Sequence, residues 1–233
     1  MLGSPSRILL KLSGEAFRGA EGAFSPEALA RIAGEIAPLA STEIAIVVGG
    51  GNLIRGARSP WIGRVEGDTL GMLATVLNAL ALRRYLESHN RAVLIQSAID
   101  TELTEPISPR AARRALQDGA VVLFAGGTGS PFVTTDTAAA IRGVSIGADL
   151  LAKGSNVAGV YSADPSGDSQ AQLIEDLTFD EYLANRYGVM DQVAVEICRE
   201  HGFPIEVFDL DTPNALAAIA AGEQIGTRIR PAA

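Results

Sequence analysis

The chain alternates short apolar runs with longer amphipathic stretches, and several of the apolar runs stop on a glycine cluster. This alternation limits the fold more than any other feature. Runs this short suit buried strands, whereas the longer stretches carry helix-start signals. Strands are predicted at Arg7–Leu12 (RILLKL), Glu43–Val48, 92–97, Val121–Ala125, 149–152, 205–210 and 227–229. Helices are predicted from Ser25-Pro26-Glu27 to about Leu39, over 71–88, from Ser108-Pro109 to near Asp118-Gly119, and over 134–146, 179–185, 191–201 and 213–221. Ser-Pro places a capping hydroxyl before a proline at the first helical position. Strand–helix alternation predicts an α/β fold: a mostly parallel central sheet with helices on both faces. No repeat, low-complexity tract or linker divides the 233 residues, so one domain over 1–233 is expected.

Composition narrows the function classes. A formal charge of −8, from 19 basic and 27 acidic residues, argues against a dedicated nucleic-acid partner. The single cysteine, Cys198, excludes an intramolecular disulfide and a cysteine metal site. His89 and His201 sit at unrelated positions near predicted helix C-termini, so no histidine metal site is expected. No apolar run reaches the ~18–20 residues of a membrane span. The longest, 70–82, is broken by Thr75 and Asn78. The N-terminus lacks a signal-peptide pattern, and a cytoplasmic setting with no membrane partner is expected. Among the 19 basic residues only Lys11 and Lys153 are lysines. In so arginine-rich a chain, a lysine marks a place for a compact ammonium in preference to a planar fork.

Ligands of open parallel sheets bind beyond the carboxyl ends of the strands. The first strand runs into Lys11-Leu12-Ser13-Gly14-Glu15, and the second into Gly49-Gly50-Gly51-Asn52 and Arg55. The fourth runs into Gly126-Gly127-Thr128-Gly129-Ser130-Pro131, then Thr134-Thr135-Asp136 at a helix start, and the fifth into Lys153-Gly154-Ser155-Asn156. Glycine lets backbone N–H groups approach an anion, a helix N-terminus adds free donors, and a lysine adds a mobile charge. Asp136 and Asp164 are carboxylates able to orient a lysine or hold Mg²⁺. The pattern points to phosphate or nucleotide binding. Each turn taken alone is more often a tight connection or a plain cap, and neither G-x-x-x-x-G-K-[ST] nor G-x-G-x-x-G is present; it is their convergence on one sheet edge that points to phosphate. Cys198 reads as packing. Arg110, Arg113 and Arg114 read as a solvated face. The stripe Leu73, Val76, Leu77, Leu80 fits either core or a subunit interface.

Five segments carry a resemblance: KLSGE at 11–15, VVGGGNLIRG at 47–56, GDTLGMLATVLNALAL at 67–82, FAGGTGSPFVTTDTAAAIR at 124–142 and GVYSADP at 159–165. With VMD at 189–191 and FPIEVFDL at 203–210, they resemble the bacterial uridylate (UMP) kinases of the amino acid kinase superfamily. The resemblance implies an α/β/α sandwich. It also implies a cytoplasmic homohexamer that moves the γ-phosphoryl group of ATP, with Mg²⁺, to UMP in pyrimidine nucleotide biosynthesis. By motif, Lys11 and Asp136 resemble the catalytic residues. Lys11, Ser13, Gly14, Gly51, Arg55, Ser155, Tyr161 and Asp164 resemble ATP contacts. Gly50, Asp68, Thr128, Gly129, Ser130, Pro131, Phe132, Val133, Thr134 and Thr135 resemble UMP contacts. No residue is matched to a metal ligand.

Departures cluster after Lys153. Where such kinases often read K-A-T-K-V-D-G-V, this chain has Asn156 for the second lysine and Ala158 for the aspartate. An arginine that many of them use for GTP activation is matched here by Leu94. Two other readings stay open on the residues alone: a related kinase of a carboxylate or carbamate acceptor, and a non-catalytic nucleotide or oxyanion binder.

Overall fold

The computed structural model describes residues 3–20, 22–56, 59–165, 167–168 and 170–232. In chain order its strands are β1 (Arg7–Leu12), β2 (Glu43–Val48), β3 (Val93–Ser97), β4 (Glu105–Pro106), β5 (Val121–Ala125), β6 (Leu150–Ser155), β7 (Val160–Tyr161), β8 (Leu173–Ile174), β9 (Asp176–Thr178), β10 (Ile205–Asp209) and β11 (Thr227–Arg230). The helices are α1 (Pro26–Ile36), α2 (Arg64–Ser88), α3 (Pro109–Gln117), α4 (Thr135–Ile146), α5 (Phe179–Ala184), α6 (Gln192–Glu200) and α7 (Ala215–Ala220). A nine-stranded sheet runs β4-β3-β5-β2-β1-β6-β10-β11-β9. Its neighbours are parallel except β10 and β11. Strands β7 and β8 form a separate antiparallel pair.

The apolar runs are continuous because the central strands are covered on both faces. Ile8, Leu10 and Leu12 join one core with residues of α1, α2 and α7, whereas Leu9 joins the other with residues of α3, α4, α5 and α6. The start signals act as read. Ser25 accepts from Ala28 N at 3.0 Å, Ser108 from Ala111 N at 3.3 Å and Thr134 from Asp136 N at 3.1 Å. The chain leaves β1 for β2 on one side through α1, and reaches β6 on the other side through α4. A crevice therefore opens at the carboxyl ends of β1 and β6, where the winding direction reverses.

The start of α2, the end of β6 and four short strands differ from expectation. Helix α2 begins at Arg64 instead of 71. The first turns of the helix carry Gly67 and Gly71, and the helix backbone there lies against the loop after β2. A Cβ on Gly67 would stand 2.7 Å from Gly56 Cα, and one on Gly50 would stand 2.3 Å from Gly71 O. Strand β6 extends to Ser155, so Lys153 lies inside a strand, as Lys11 does. The strands of two and three residues (β4, β7, β8, β9) are too short to carry a period. Helix α2 is also the one helix among the described residues that is long and apolar enough to cross a membrane by length and composition. Its inner face, with Val76, Ala79, Leu82 and Leu86, packs into the core. The stripe read from sequence splits: Val76 is buried, while Leu73 and Leu77 are 41% and 53% exposed.

Candidate active site

Lys11 and Lys153 are register partners on the parallel strands β1 and β6. Their side chains therefore stand side by side on the α4 face, one strand spacing apart. Like charges so placed repel, and Asp136 answers both. Its Oδ1 lies 2.7 Å from Lys11 Nζ and its Oδ2 lies 2.6 Å from Lys153 Nζ. Lys11 pairs with Oδ1 as an ion pair, and Lys153 donates a hydrogen bond to Oδ2. Asp136 lies in the first turn of α4, where the helix dipole favours a carboxylate. Burial alone would raise its pKa, but the two ammoniums prevail and hold it well below the usual carboxylate range. Burial, reinforced by the Lys11 charge, brings Lys153 down to about 8 against the opposing pull of Asp136.

Around this triad the strand ends carry almost no side chain. A Cβ on Gly14 would sit 2.1 Å from Gly51 N, and one on Gly49 would sit 2.6 Å from Gly14 N. The ends of β1 and β2 thus touch through backbone, leaving N–H groups at the crevice. Two polar residues of α2 fix these turns. Asn78 donates to Gly49 O at 2.7 Å and exchanges hydrogen bonds with Asn52 at 2.7 and 2.9 Å. Thr75 Oγ1 accepts from Gly126 N at 2.6 Å. Both were visible in the sequence as the interruptions of the apolar run, and neither was assigned a role there. Arg64 was missed as well. It stands 2.7 Å from Asp68 Oδ2, and the same oxygen accepts from Phe132 N at 2.8 Å.

Three clefts follow one another along the sheet edge. The first, about 310 Å³, is lined by Lys11, Ser13, Gly14, Gly50, Gly51, Arg55, Asp68, Ser130, Val133, Thr134 and Thr135 of the expected residues. The second, about 370 Å³, contains Ser13, Ser155 and Asn156. The third, about 650 Å³, contains Asn156, Tyr161 and Asp164. Ser13 belongs to the first two and Asn156 to the last two, so the clefts are contiguous. Thr128, Gly129, Pro131 and Phe132 do not line them, and Phe132 is 64% exposed. Asp136 is buried behind Lys11. Both of its oxygens are taken by ammoniums, so it is not free for a metal. Among the described residues no group of three His, Cys, Asp or Glu could hold a metal ion.

The secondary candidates lie away from this edge. Cys198 is packed in the core, where burial pushes its thiol up to about 12. His89 and His201 are the C-terminal caps of α2 and α6. Arg110, Arg113 and Arg114 are exposed on α3.

Backbone donors, a helix N-terminus and a buried ammonium at the crevice of a parallel sheet define a phosphotransferase of the α/β class. The chain belongs to the amino acid kinase family, whose model matches residues 6–209. It is 49% identical over 231 residues to the uridylate kinase of Psychrobacter cryohalolentis, covering 96% of each chain. It is 47% identical over 229 residues to that of Stutzerimonas stutzeri, covering 96% of this chain and 93% of the other. The structure of UMP kinase from Bacillus anthracis superposes with a TM-score of 0.94 at 35% identity, covering 98% and 97% of the two chains. Uridylate kinase from Archaeoglobus fulgidus superposes at 0.74 with 28% identity, covering 95% and 99%.

Proposed function

We propose that this chain is a UMP kinase, a single-domain phosphotransferase that moves the γ-phosphoryl group of ATP to UMP and releases UDP and ADP. One observation carries the reading. Lys11 reaches the first of three contiguous clefts from behind, beside the N-terminus of α4. Phosphoryl transfer asks for positioning and charge stabilisation more than for covalent chemistry, and that is what this edge supplies. The first cleft takes the acceptor: Thr134, Thr135 and the α4 N-terminus face its phosphate, Gly50 lets it approach, and Asp68 receives the ribose. Ser130, Val133 and the neighbouring Thr128, Gly129, Pro131 and Phe132 form the loop that folds round it. Ser13, Gly14, Gly51, Arg55 and Ser155 hold the donor phosphates, and Tyr161 and Asp164 hold the rest of the adenine nucleotide. Lys11 stabilises charge on the group in flight, and Asp136 fixes Lys11 without titrating near neutral pH.

Mg²⁺ belongs to the MgATP substrate, bound through the phosphates in the manner usual for this ion. It neutralises phosphate charge there. The chain works as a cytoplasmic homohexamer. The exposed Leu70, Leu73 and Leu77 on the outer face of α2 suit a contact between copies. The deciding measurement is a coupled assay for UDP, run with UMP against amino-acid and carbamate acceptors. UDP formation with UMP alone is expected. Turnover only with a carboxylate or carbamate acceptor refutes the assignment.

A further inference from the structure

We propose that Lys153 is a positioning residue that fastens one wall of the third cleft to the buried carboxylate of Asp136. The proposal rests on reading that cleft as the adenine-nucleotide site. Lys11 and Lys153 share a register and a counter-ion, yet they differ in what else they reach. Lys11 lines the first cleft, whereas Lys153 lines none of the three. Its ammonium is spent on two acceptors, Asp136 Oδ2 and the carbonyl of Val189. The two lysines are equally buried, at 6% and 7% exposed, so it is the cleft lining and the acceptors that separate them.

Val189 belongs to the segment that follows α5 and, with Tyr187, lines the third cleft opposite Tyr161 and Asp164. This segment has no helix or strand of its own between Asn185 and the start of α6. Its position depends on side-chain tethers. Gln192 donates to Tyr187 O at 2.8 Å, and Tyr182 Oη donates to Met190 O at 2.8 Å while accepting from Met190 N at 2.7 Å. Asp191 N donates to Asp136 Oδ2 at 3.3 Å. The tethers of Tyr187 and Met190 come from α5 and α6, which flank the segment in sequence. That of Val189 comes from the sheet, at the residue beside Lys11. One ammonium therefore sets the distance between the wall of the base cleft and the group that holds the phosphoryl-transfer lysine. A compact charge with several donors suits two acceptors meeting at one point better than a planar fork does.

The test compares Lys153→Met, Tyr182→Phe and the double variant. Lys153→Met is expected to raise KM for ATP about tenfold, the effect of losing one charged hydrogen bond worth ~1.4 kcal/mol. KM for UMP should stay within about twofold, and kcat should fall less than in Lys11→Ala. Tyr182→Phe loosens the same segment without touching Asp136 and should raise KM for ATP in the same direction. The two changes should be non-additive, since either frees the wall. Hydrogen exchange of 186–191 in nucleotide-free protein should quicken in Lys153→Met. A kcat loss as deep as that of Lys11→Ala, with KM for ATP and exchange unchanged, overturns the proposal and makes Lys153 a phosphate ligand. Protection of 157–165 by ATP in the wild type tests the cleft reading separately. Its absence refutes the adenine assignment, while the exchange of 186–191 still decides the tether.

Discussion

Asp136→Asn keeps the shape of the buried hub and removes its charge, so it isolates what that charge does. The carboxylate stands 2.7 Å from one ammonium and 2.6 Å from the other. At an effective dielectric of ~20, a unit pair at that range attracts by about 6 kcal/mol before desolvation is subtracted. Breaking a buried pair by removing one partner destabilises by about 3–5 kcal/mol, because a charge is left uncompensated. Here a smaller penalty is available. Lys153 already titrates at about 8, so shedding its proton at pH 7 costs about 1.4 kcal/mol, one pKa unit. The variant is therefore expected to fold with Lys153 neutral, at a loss of about 2–4 kcal/mol.

The pH dependence carries the signature. A lysine whose folded pKa lies below its unfolded value of 10.5 binds fewer protons when folded, so stability rises with pH between the two values. In the wild type that rise begins near 8. Without Asp136 the folded value falls further, and the rise begins about one unit or more lower. Urea midpoints taken from about pH 6 to 9 report the shift. A coupled assay on the same samples should show kcat down about a hundredfold or more, because Lys11 has lost its partner. Midpoints that run parallel to the wild type across that range, or a kcat within about threefold, would refute this account of the triad.

Four further outcomes follow from the same geometry. Lys11→Ala should cut kcat about a hundredfold or more while UMP binding, read by calorimetry, is largely kept. Asp68→Ala should raise KM for UMP far more than KM for ATP in steady-state assays; equal effects would remove Asp68 from the acceptor site. Thr75→Val leaves the Gly126 N–H without its acceptor and should lower stability by about 1–3 kcal/mol in denaturant unfolding. Gly14→Ala drives a Cβ to 2.1 Å from Gly51 N, so it should lower the melting temperature and abolish UDP formation together.

The order of the main strands and helices could be read from the chain because the central strands are largely apolar runs and α1, α3, α4, α5 and α6 carry side-chain caps, whereas α2 starts at Gly63 with none. Of the residues singled out by the family segments, Lys11 and Asp68 line the first cleft and Asp136 pairs with Lys11 behind it. The start of α2 was hidden because Gly67 and Gly71 weaken a helix locally, and only their contact with the loop after β2 explains them. The role of Lys153 was hidden for a different reason. Its partner Asp136 lies 17 residues away and its partner Val189 lies 36 away, and no periodicity encodes a contact made across two crossovers. Asn78 and Thr75 were visible as polar breaks in an apolar helix, yet the carbonyl and amide they satisfy belong to distant turns.

The register of β1 against β6 ties heredity to chemistry. Sliding either strand by one residue turns every side chain to the opposite face. Lys11 or Lys153 would then point into the α1 and α2 core, and Asp136 would lose a counter-ion. Sheet pairing and phosphoryl transfer therefore fail together. A one-residue insertion or deletion within β1 or β6 should therefore cost activity even where the packing of the strand could absorb it.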